Sequence, residues 1–432
     1  MSQSTKYFID SSPMTRLQYS TIGICFLMNI FDGMDVLIIS YCAPAISNSW
    51  NLGPEALGVV FSAGLAGMAL GALFLAPYSD SFGRKKIILL SAFLMGISMF
   101  LTGYSENVNQ LITLRFLSGI GIGSMLASTA ALTSEYTPNK SKDFWVSFVI
   151  SGYPVGAVIS GYISVLVIPS SGWQMMFIIA GIASLLTIPL IYYFLSESIE
   201  FYIRKQPKKA LENVNKIFIK MNLKILKQLP LKKTLTAGIP VKQLLSKKYK
   251  VSTFQLWFAL FFAFSCLYFL ISWIPKLATN AGLSIELAIY AGTVFNIGAF
   301  FGIILQGYYS SKIGLKKTIS IFFLIAAILM AVFKIFIGSD WLLIVFGFLG
   351  FFIQGGFVGL YAVAARLYPT EYRTTGIGWA IGAGRLGGVL GPLAGGVMIG
   401  MGLSMSINFM IFAIPALLSA IFTYFISSKE VS

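Results

Sequence analysis

The sequence predicts an all-α integral membrane protein with twelve transmembrane helices in two parallel-related six-helix bundles, and three observations carry that reading. Of 432 residues, 57% are hydrophobic and only 11% charged, with a mean hydropathy of +0.82. A soluble domain carries roughly 25% charged residues, so an ordinary water-soluble enzyme is excluded. Apolar runs of about 20 residues recur along the whole chain, the length a helix needs to cross a bilayer core of about 30 Å, and not the ten-residue alternation of a barrel. With those runs counted as spans, 27 of the 31 Lys and Arg fall in tail or loop segments on one side. That is the positive-inside pattern.

Apolar runs bounded by charge or turn residues place the first six helices at 17–44, 56–78, 86–104, 108–134, 143–167 and 173–195. The second six fall at 252–275, 285–308, 317–337, 341–367, 374–401 and 404–427. An even number of spans puts both termini on one side. The clusters Arg84-Lys85-Lys86, Lys140 with Lys142, and Lys312 with Lys316 and Lys317 fall on that side too. The rule makes it the cytoplasmic face, here of a bacterial inner membrane. The expected organisation is one bundle over 1–195, a basic cytoplasmic linker over 196–250 and a second bundle over 251–432. The linker holds 14 Lys and Arg and an amphipathic stretch over 208–227. No short apolar stretch with a small-residue cleavage site opens the chain, so the first apolar segment is expected to be a retained helix.

The halves repeat at one fixed offset, the distance along the chain from Pro44 to Pro275. At that same offset Gly67 maps to Gly298, Gly71 to Gly302, Gly83 to Gly314, Lys85 and Lys86 to Lys316 and Lys317, Gly119 to Gly350, Pro138 to Pro369 and Gly156 to Gly387. One coincidence is cheap among 42 glycines, but a single offset held from the first to the fifth helix implies duplication. Two parallel-related bundles leave a cavity between them and work by rocking one half against the other.

A net charge of +16 is accounted for by basic loops beside anionic lipid, and no nucleic-acid partner is expected. Cys25, Cys42 and Cys266 lie in or at the ends of apolar runs with no metal-binding spacing, and the chain has no histidine. No cofactor or metal is expected, no nucleotide-binding loop supports an enzyme or an ATP-driven pump, and any proton handling falls to carboxylates.

The charges inside the spans therefore matter most: Asp32, Asp35, Arg115 and Arg385, with Glu135 and Arg366 at helix ends. A charge at mid-bilayer costs about 2.5–3.5 kcal/mol or more, so each needs a partner or a wet cavity. Asp32 and Asp35, three residues apart around Gly33, share roughly one helix face. Two close carboxylates raise one another's proton affinity, which makes them the first choice for proton coupling. A structural ion pair with Arg115 or Arg385 is the plainer alternative. Arg385 sits near mid-span in Gly382-Ala383-Gly384-Arg385-Leu386-Gly387. This string mimics a dinucleotide-binding loop, but no strand precedes it and it lies inside an apolar span. A guanidinium at that depth suits a carboxylate, so a small organic anion is the expected substrate, accompanied by protons. Tyr41, Tyr153, Tyr268, Tyr361 and Trp379, with Asn296 and Gln354, are candidate cavity residues for an aromatic ring.

Two motifs carry a family resemblance. The segment from Ala76 to Lys86, with Asp80, Gly83, Arg84 and Lys85, resembles the loop signature G-x-x-x-D-R/K-x-G-R-R/K of the major facilitator superfamily, with Ala76 for the leading Gly and Ser81 for the basic residue. Its copy from Gly307 to Lys317 has Ser311 in place of the Asp. The superfamily resemblance spans essentially the whole chain and implies that this loop is a conformational gate. Asp32-Gly33-Met34-Asp35, Arg115 with its spaced glycines, Glu135 and Arg385 narrow it, because D-G-x-D is similar to the first-helix signature of the aromatic acid:proton symporter family. Met34 and Val36 stand where relatives often have Phe and Thr. The resemblance implies a proton symporter for a benzoate-like acid, functional as a monomer, with Asp32, Asp35, Arg115 and Glu135 in proton coupling and Arg385 on the substrate. Another organic anion such as muconate or nicotinate, efflux by antiport, or a membrane sensor are the alternatives.

Overall fold

The computed structural model of the chain describes residues 9–10, 12–230, 244–368 and 373–426, the side chains of 143, 373 and 374 excepted. Pro369 of the repeat and linker residues 231–243 lie outside that description. Among the described residues, nine helices are long and apolar enough to cross a membrane. One of them, Phe144–Phe194, breaks in two at Gly172, where φ 78° and ψ 167° are not helical. Two further helices, Leu315–Ala331 and Arg373–Gly400, bring the total to twelve.

In chain order these are α1 Arg16–Trp50, α2 Pro54–Phe82, α3 Arg84–Thr102, α4 Val108–Tyr136, α5 142–171 and α6 173–194 in the first half. The second half holds α7 Lys250–Asn280, α8 Ile285–Ile313, α9 Leu315–Ala331, α10 Leu342–Leu367, α11 Arg373–Gly400 and α12 Met405–Phe425. Caps set their ends. Thr15 and Gln18 form a capping box on α1, and Asn107, Ser284 and Ser404 accept backbone N–H bonds at the starts of α4, α8 and α12. Helix α1 runs six residues past Pro44, further than the apolar run implies, because Asn51 in a left-handed conformation closes it. Below, the terminal face is the one where α1 begins and α12 ends.

The duplication is visible contact by contact. A side chain on Gly67 would strike the carbonyl of Phe116, and one on Gly298 the carbonyl of Gly347, the same two positions in the second copy. The pairs Gly71 with Ile120 and Gly302 with Phe351, Gly119 with Gly64 and Gly350 with Phe295, and Gly156 with Ile30 and Gly387 with Phe261 repeat in the same way. Glycine at these positions lets backbones of α2 and α4, and of α8 and α10, approach without a hydrophobic driving force between them. The pseudo-two-fold axis itself is marked where α1 crosses α7: Ser40 Oγ donates at 2.6 Å to the carbonyl of Ile271, its own repeat mate 231 residues on.

Contacts across the halves gather on the side away from the terminal face. Ser62 Oγ donates to the carbonyl of Val389 at 2.7 Å, Phe61 meets Trp273 edge to face at 5.1 Å, and Gly58 abuts Pro392 and Gly396. Gly161 abuts Thr293 on the other flank. The linker is more structured than a surface tether: helices Ile199–Lys205 and Ala210–Lys220 bury Ile199, Ile203, Val214, Ile217 and Phe218 against the terminal end of the first bundle. Helix Ala210–Lys220 is shorter than the expected 208–227 stretch because Lys209 and Asn222 adopt left-handed backbone on either side.

Candidate functional site

The two aspartates of α1 share a helix and a depth of burial and differ in their partners. Asp35 is fully paired: Arg115 of α4 forms an ion pair with Oδ1 and Ser118 Oγ donates to Oδ2. Arg115 in turn donates to Thr102 Oγ1 at 3.1 Å and lies 4.9 Å over the ring of Phe177. Such a pair is costly to bury and costlier to break, since removing one partner strands the other. Beside it a small opening of about 30 Å³ lies among α1, α2, α4 and α7, lined by Asp35, Arg115, Ser118, Tyr268 and Ser272 among apolar side chains.

Asp32 is equally buried, at 1% exposure, but Oδ1 has no partner and no hydrogen bond or ion pair reaches the carboxylate among the described residues. The charges that bear on it are Asp35 and, from the other half, Arg385. Arg385 is also without an ion pair among the described residues, and its buried Nε has no hydrogen-bond partner. A carboxylate and a guanidinium thus lie within electrostatic reach across the halves without forming an ion pair. An unpaired guanidinium offers donors to an anion, and a carboxylate beside it can hold a proton.

An aromatic cluster lies close to this pair. Phe264 and Tyr268 of α7 stack at 5.8 Å, Phe357 of α10 meets Phe264 at 4.7 Å, and Tyr361 meets Phe357 at 5.4 Å. Tyr268 and Tyr361 lie within electrostatic reach of Arg385. Tyr153 of α5, its hydroxyl buried without a partner, lies within electrostatic reach of Asp32 and Tyr268. The α5 backbone reaches this point because Gly33, between the aspartates, has no side chain to strike the carbonyl of Tyr153. Gln354, buried on α10 one turn before Phe357, makes no hydrogen bond among the described residues.

Other residues singled out in the sequence stand elsewhere. Tyr41 is fully buried in the seam between halves, its ring against Gly292, its hydroxyl 3.2 Å from the carbonyl of Ala157 and facing Thr293 and Asn296. Asn296 caps back to Gly292 at 2.9 Å. Trp379 is half exposed and stacks on Trp257 at 5.9 Å, about 9 Å along α11 from Arg385 toward the terminal face. That stack is the repeat copy of Phe26 on Phe148, 4.6 Å apart in the first half.

The loop motif at the terminal face forms a second charge cluster. Gly83, with φ 106°, turns the chain from α2 into α3. Arg84 pairs with Glu135 of α4 and lies 3.3 Å from Asp80 and 3.8 Å from Glu200. Ser198 Oγ donates to Glu135 at 2.7 Å, and the backbone N–H of Lys85 donates to Glu197 Oε1 at 2.9 Å while its ammonium reaches the carbonyl of Tyr192. Glu197, Ser198 and Glu200 escaped the sequence reading. Their signal was the Ser-x-Glu start of helix Ile199–Lys205, where Ser198 accepts from the N–H of Phe201.

Comparison with known proteins agrees with this architecture. The sequence model of the Major Facilitator Superfamily matches residues 25–333 and 256–432. The benzoate transport protein of Acinetobacter baylyi is 32% identical over 98% of this chain and 92% of its own length. The 4-hydroxybenzoate transporter PcaK of the same organism is 32% identical over 96% and 92%. Among solved structures a D-xylose-proton symporter shares the fold, with a TM-score of 0.75 and 17% identity over 95% of this chain and 98% of that one. Twelve helices duplicated about α1 and α7, the loop motif at Asp80 to Lys85, and relatives of this identity over nearly the full length place the chain in the major facilitator superfamily, in its aromatic acid:proton symporter family.

Proposed function

We propose that the protein is a proton-coupled symporter that brings an aromatic carboxylate such as benzoate or a hydroxybenzoate across the inner membrane. The observation that carries this is the unpartnered pair of a buried Asp32 and a half-buried Arg385 on opposite halves, beside an aromatic cluster. Arg385 binds the substrate carboxylate through two hydrogen bonds, and the ring rests against Tyr268, Phe357 and Tyr361. Asp32 carries the proton. With substrate on Arg385 and a proton on Asp32 no uncompensated charge is left in the gap, and the halves can rock about the α1 and α7 crossing. Asp35, Arg115 and Ser118 hold α1 against α4 beside the proton site. The Arg84 and Glu135 cluster holds the terminal face of the first bundle.

The positive-inside pattern supports the terminal face as cytoplasmic, with both termini there. Contacts between the halves then lie on the periplasmic side, and the arrangement is open inward. Residues 1–195 and 251–432 act as the two rocking units, joined by 196–250. A single chain contains every residue of the gap, so a monomer suffices.

The test is uptake of radiolabelled benzoate and 4-hydroxybenzoate by purified protein in liposomes under an imposed inward proton gradient, with and without protonophore. The expected result is accumulation that the protonophore collapses, and its loss in Asp32→Asn and Arg385→Ala at unchanged yield of folded protein. Near-normal accumulation by both variants would sink the assigned roles. No uptake of either acid would redirect the substrate to muconate, nicotinate or a related anion.

A further inference from the structure

The repeat isolates a polar contact that the fold does not need. Asn29 of α1 and Thr129 of α4 are both fully buried, and Asn29 Nδ2 donates to Thr129 Oγ1 at 3.1 Å and to the carbonyl of Cys25 at 2.9 Å. Thr129 donates its own proton to the carbonyl of Met125 at 3.0 Å, so its oxygen is left to accept from Asn29. Both amide protons are thereby engaged, the amide is fixed in one orientation, and Oδ1 is left buried with no donor. In the second half the equivalents of these two positions are Leu260 and Leu360, fully buried as well. Packing at this crossing of the first and fourth helices of a half is satisfied by two leucines. The first half keeps an asparagine there, with an orphaned acceptor whose desolvation is a standing cost.

Asp32 lies three residues on from Asn29, one turn away on the same face, and a helical side chain leans back over the turn before it. Its Oδ1 is likewise buried without a partner. Two bare acceptors on adjacent turns of one helix face repel, whereas a protonated carboxyl has one O–H to give. The other titratable groups facing Asp32 are Asp35 on α1, Tyr153 on α5, Tyr268 on α7 and Arg385 on α11.

We infer that Asn29, oriented by Thr129, is a positioning residue for the proton on Asp32: its Oδ1 accepts the O–H of the protonated carboxyl and so selects the proton-loaded state. This rests on the proposed role of Asp32, and it gives α1 and α4 a part in proton affinity that is separate from the substrate gap. Ionised Asp32 loses that bond. The contact is therefore made in the loaded state only.

The variant Asn29→Leu/Thr129→Leu copies the packing the second half already uses, so it is expected to fold. The readout is infrared titration of purified protein without substrate, following the carboxylic-acid band that vanishes in Asp32→Asn. In the double variant the midpoint of that band should move to lower pH by about one unit, a ten-fold loss of proton affinity for one hydrogen bond. Thr129→Val should move it part of the way and Thr129→Ser should restore it. An unchanged midpoint in folded Asn29→Leu/Thr129→Leu would overturn the inference, and so would a band whose frequency does not respond to the substitution. Because the titration uses no substrate, it separates this failure from a failure of the transport reading, which the uptake assay reports. A band unaffected by Asp32→Asn would overturn both.

Discussion

The first and second halves share a backbone plan and divide the chemistry. At matching positions of the repeat, Asp35, Arg115, Ser118 and Thr102 of the first half become Cys266, Phe346, Leu349 and Phe333 of the second. The hydrogen bond from Arg115 to Thr102 has its counterpart in Phe346 packed on Phe333 at 5.3 Å. Asp32 becomes Ala263 and Glu135 becomes Arg366. In exchange, Arg385 stands where the first half has Pro154. The close approach beside the gap is even made with the glycine on opposite helices: Gly33 of α1 admits Tyr153, while Gly384 of α11 admits the ring of Phe264. One half thus projects carboxylates and a tyrosine into the interface, the other an arginine and an aromatic wall. Duplication supplied a symmetric hinge, and divergence placed opposite charges on opposite sides of it.

That comparison breaks most visibly at the buried ion pair. Arg115→Leu leaves Asp35 stranded among apolar groups and should cost about 3–5 kcal/mol, read as a collapse in folded yield and in the thermal midpoint of the detergent-solubilised protein. Importing the second half's solution whole, with Asp35→Cys, Arg115→Phe, Ser118→Leu and Thr102→Phe, should recover much of that midpoint without recovering uptake. If the fourfold variant is no more stable than Arg115→Leu, the two clusters are not interchangeable packing solutions.

Next in size are the shared glycines. Gly67→Val and Gly298→Val each drive a side chain into a carbonyl of the facing helix, overpacking of the kind that costs typically about 1–3 kcal/mol. Their thermal midpoints should fall equally. Unequal losses would mean that the offset marks sequence ancestry and not equal structural duty.

The sequence already made the fold legible, because spans, the positive-inside asymmetry and one constant offset are each set by physics that acts residue by residue. The embedded charges were legible for the same reason: Asp32, Asp35, Arg115 and Arg385 are expensive wherever they sit. What it withheld is pairing. Spacing put Asp32 and Asp35 on one face, yet a turn of helix α1 is enough to give one of them Arg115 and Ser118 and leave the other bare. Tyr41 and Asn296 look like cavity residues in a linear reading, and only the crossing of α1 with α5 and α8 puts them in the seam. Asn29 and Thr129 pass as ordinary polar residues of long helices until Leu260 and Leu360 are set beside them. The linker's part in the Arg84 cluster was hidden by its lysines, which drew attention from Glu197, Ser198 and Glu200.

The turns from α2 to α3 and from α8 to α9 offer a finer contrast. Gly83 and Gly314 hold matching backbones, with φ 106° and 94°, in a region that only glycine adopts freely. A methyl group at Gly314 meets open space, whereas one at Gly83 meets the carboxylate of Glu197. Both alanine variants share the backbone strain of about 1–3 kcal/mol. Gly83→Ala should in addition push Glu197 off the start of α3 and loosen Ser198 and Glu200 from Arg84 and Glu135. Distance measurements between spin labels on helix Ile199–Lys205 and α3 should broaden for Gly83→Ala only. Equal broadening in Gly314→Ala would show that strain, and not the linker contact, sets this spacing.

The smallest effect is expected at Trp379, where the comparison argues against a part in binding. Its stack on Trp257 is the second half's version of Phe148 on Phe26, and the first half carries no arginine on that helix for a substrate to reach. A contact kept in both halves is one that the pairing of the first helix of a half with its fifth requires. Trp379→Phe keeps an aromatic ring on Trp257 and should change the KM for uptake by less than about 1 kcal/mol in binding terms, within the range of a single aromatic pair. Tyr361→Ala, which strips the wall beside Arg385, should raise KM by more than that. If instead Trp379→Phe weakens uptake as strongly as Tyr361→Ala, the ring site extends along α11 toward the terminal face, and the symmetry of the two stacks is one of geometry alone.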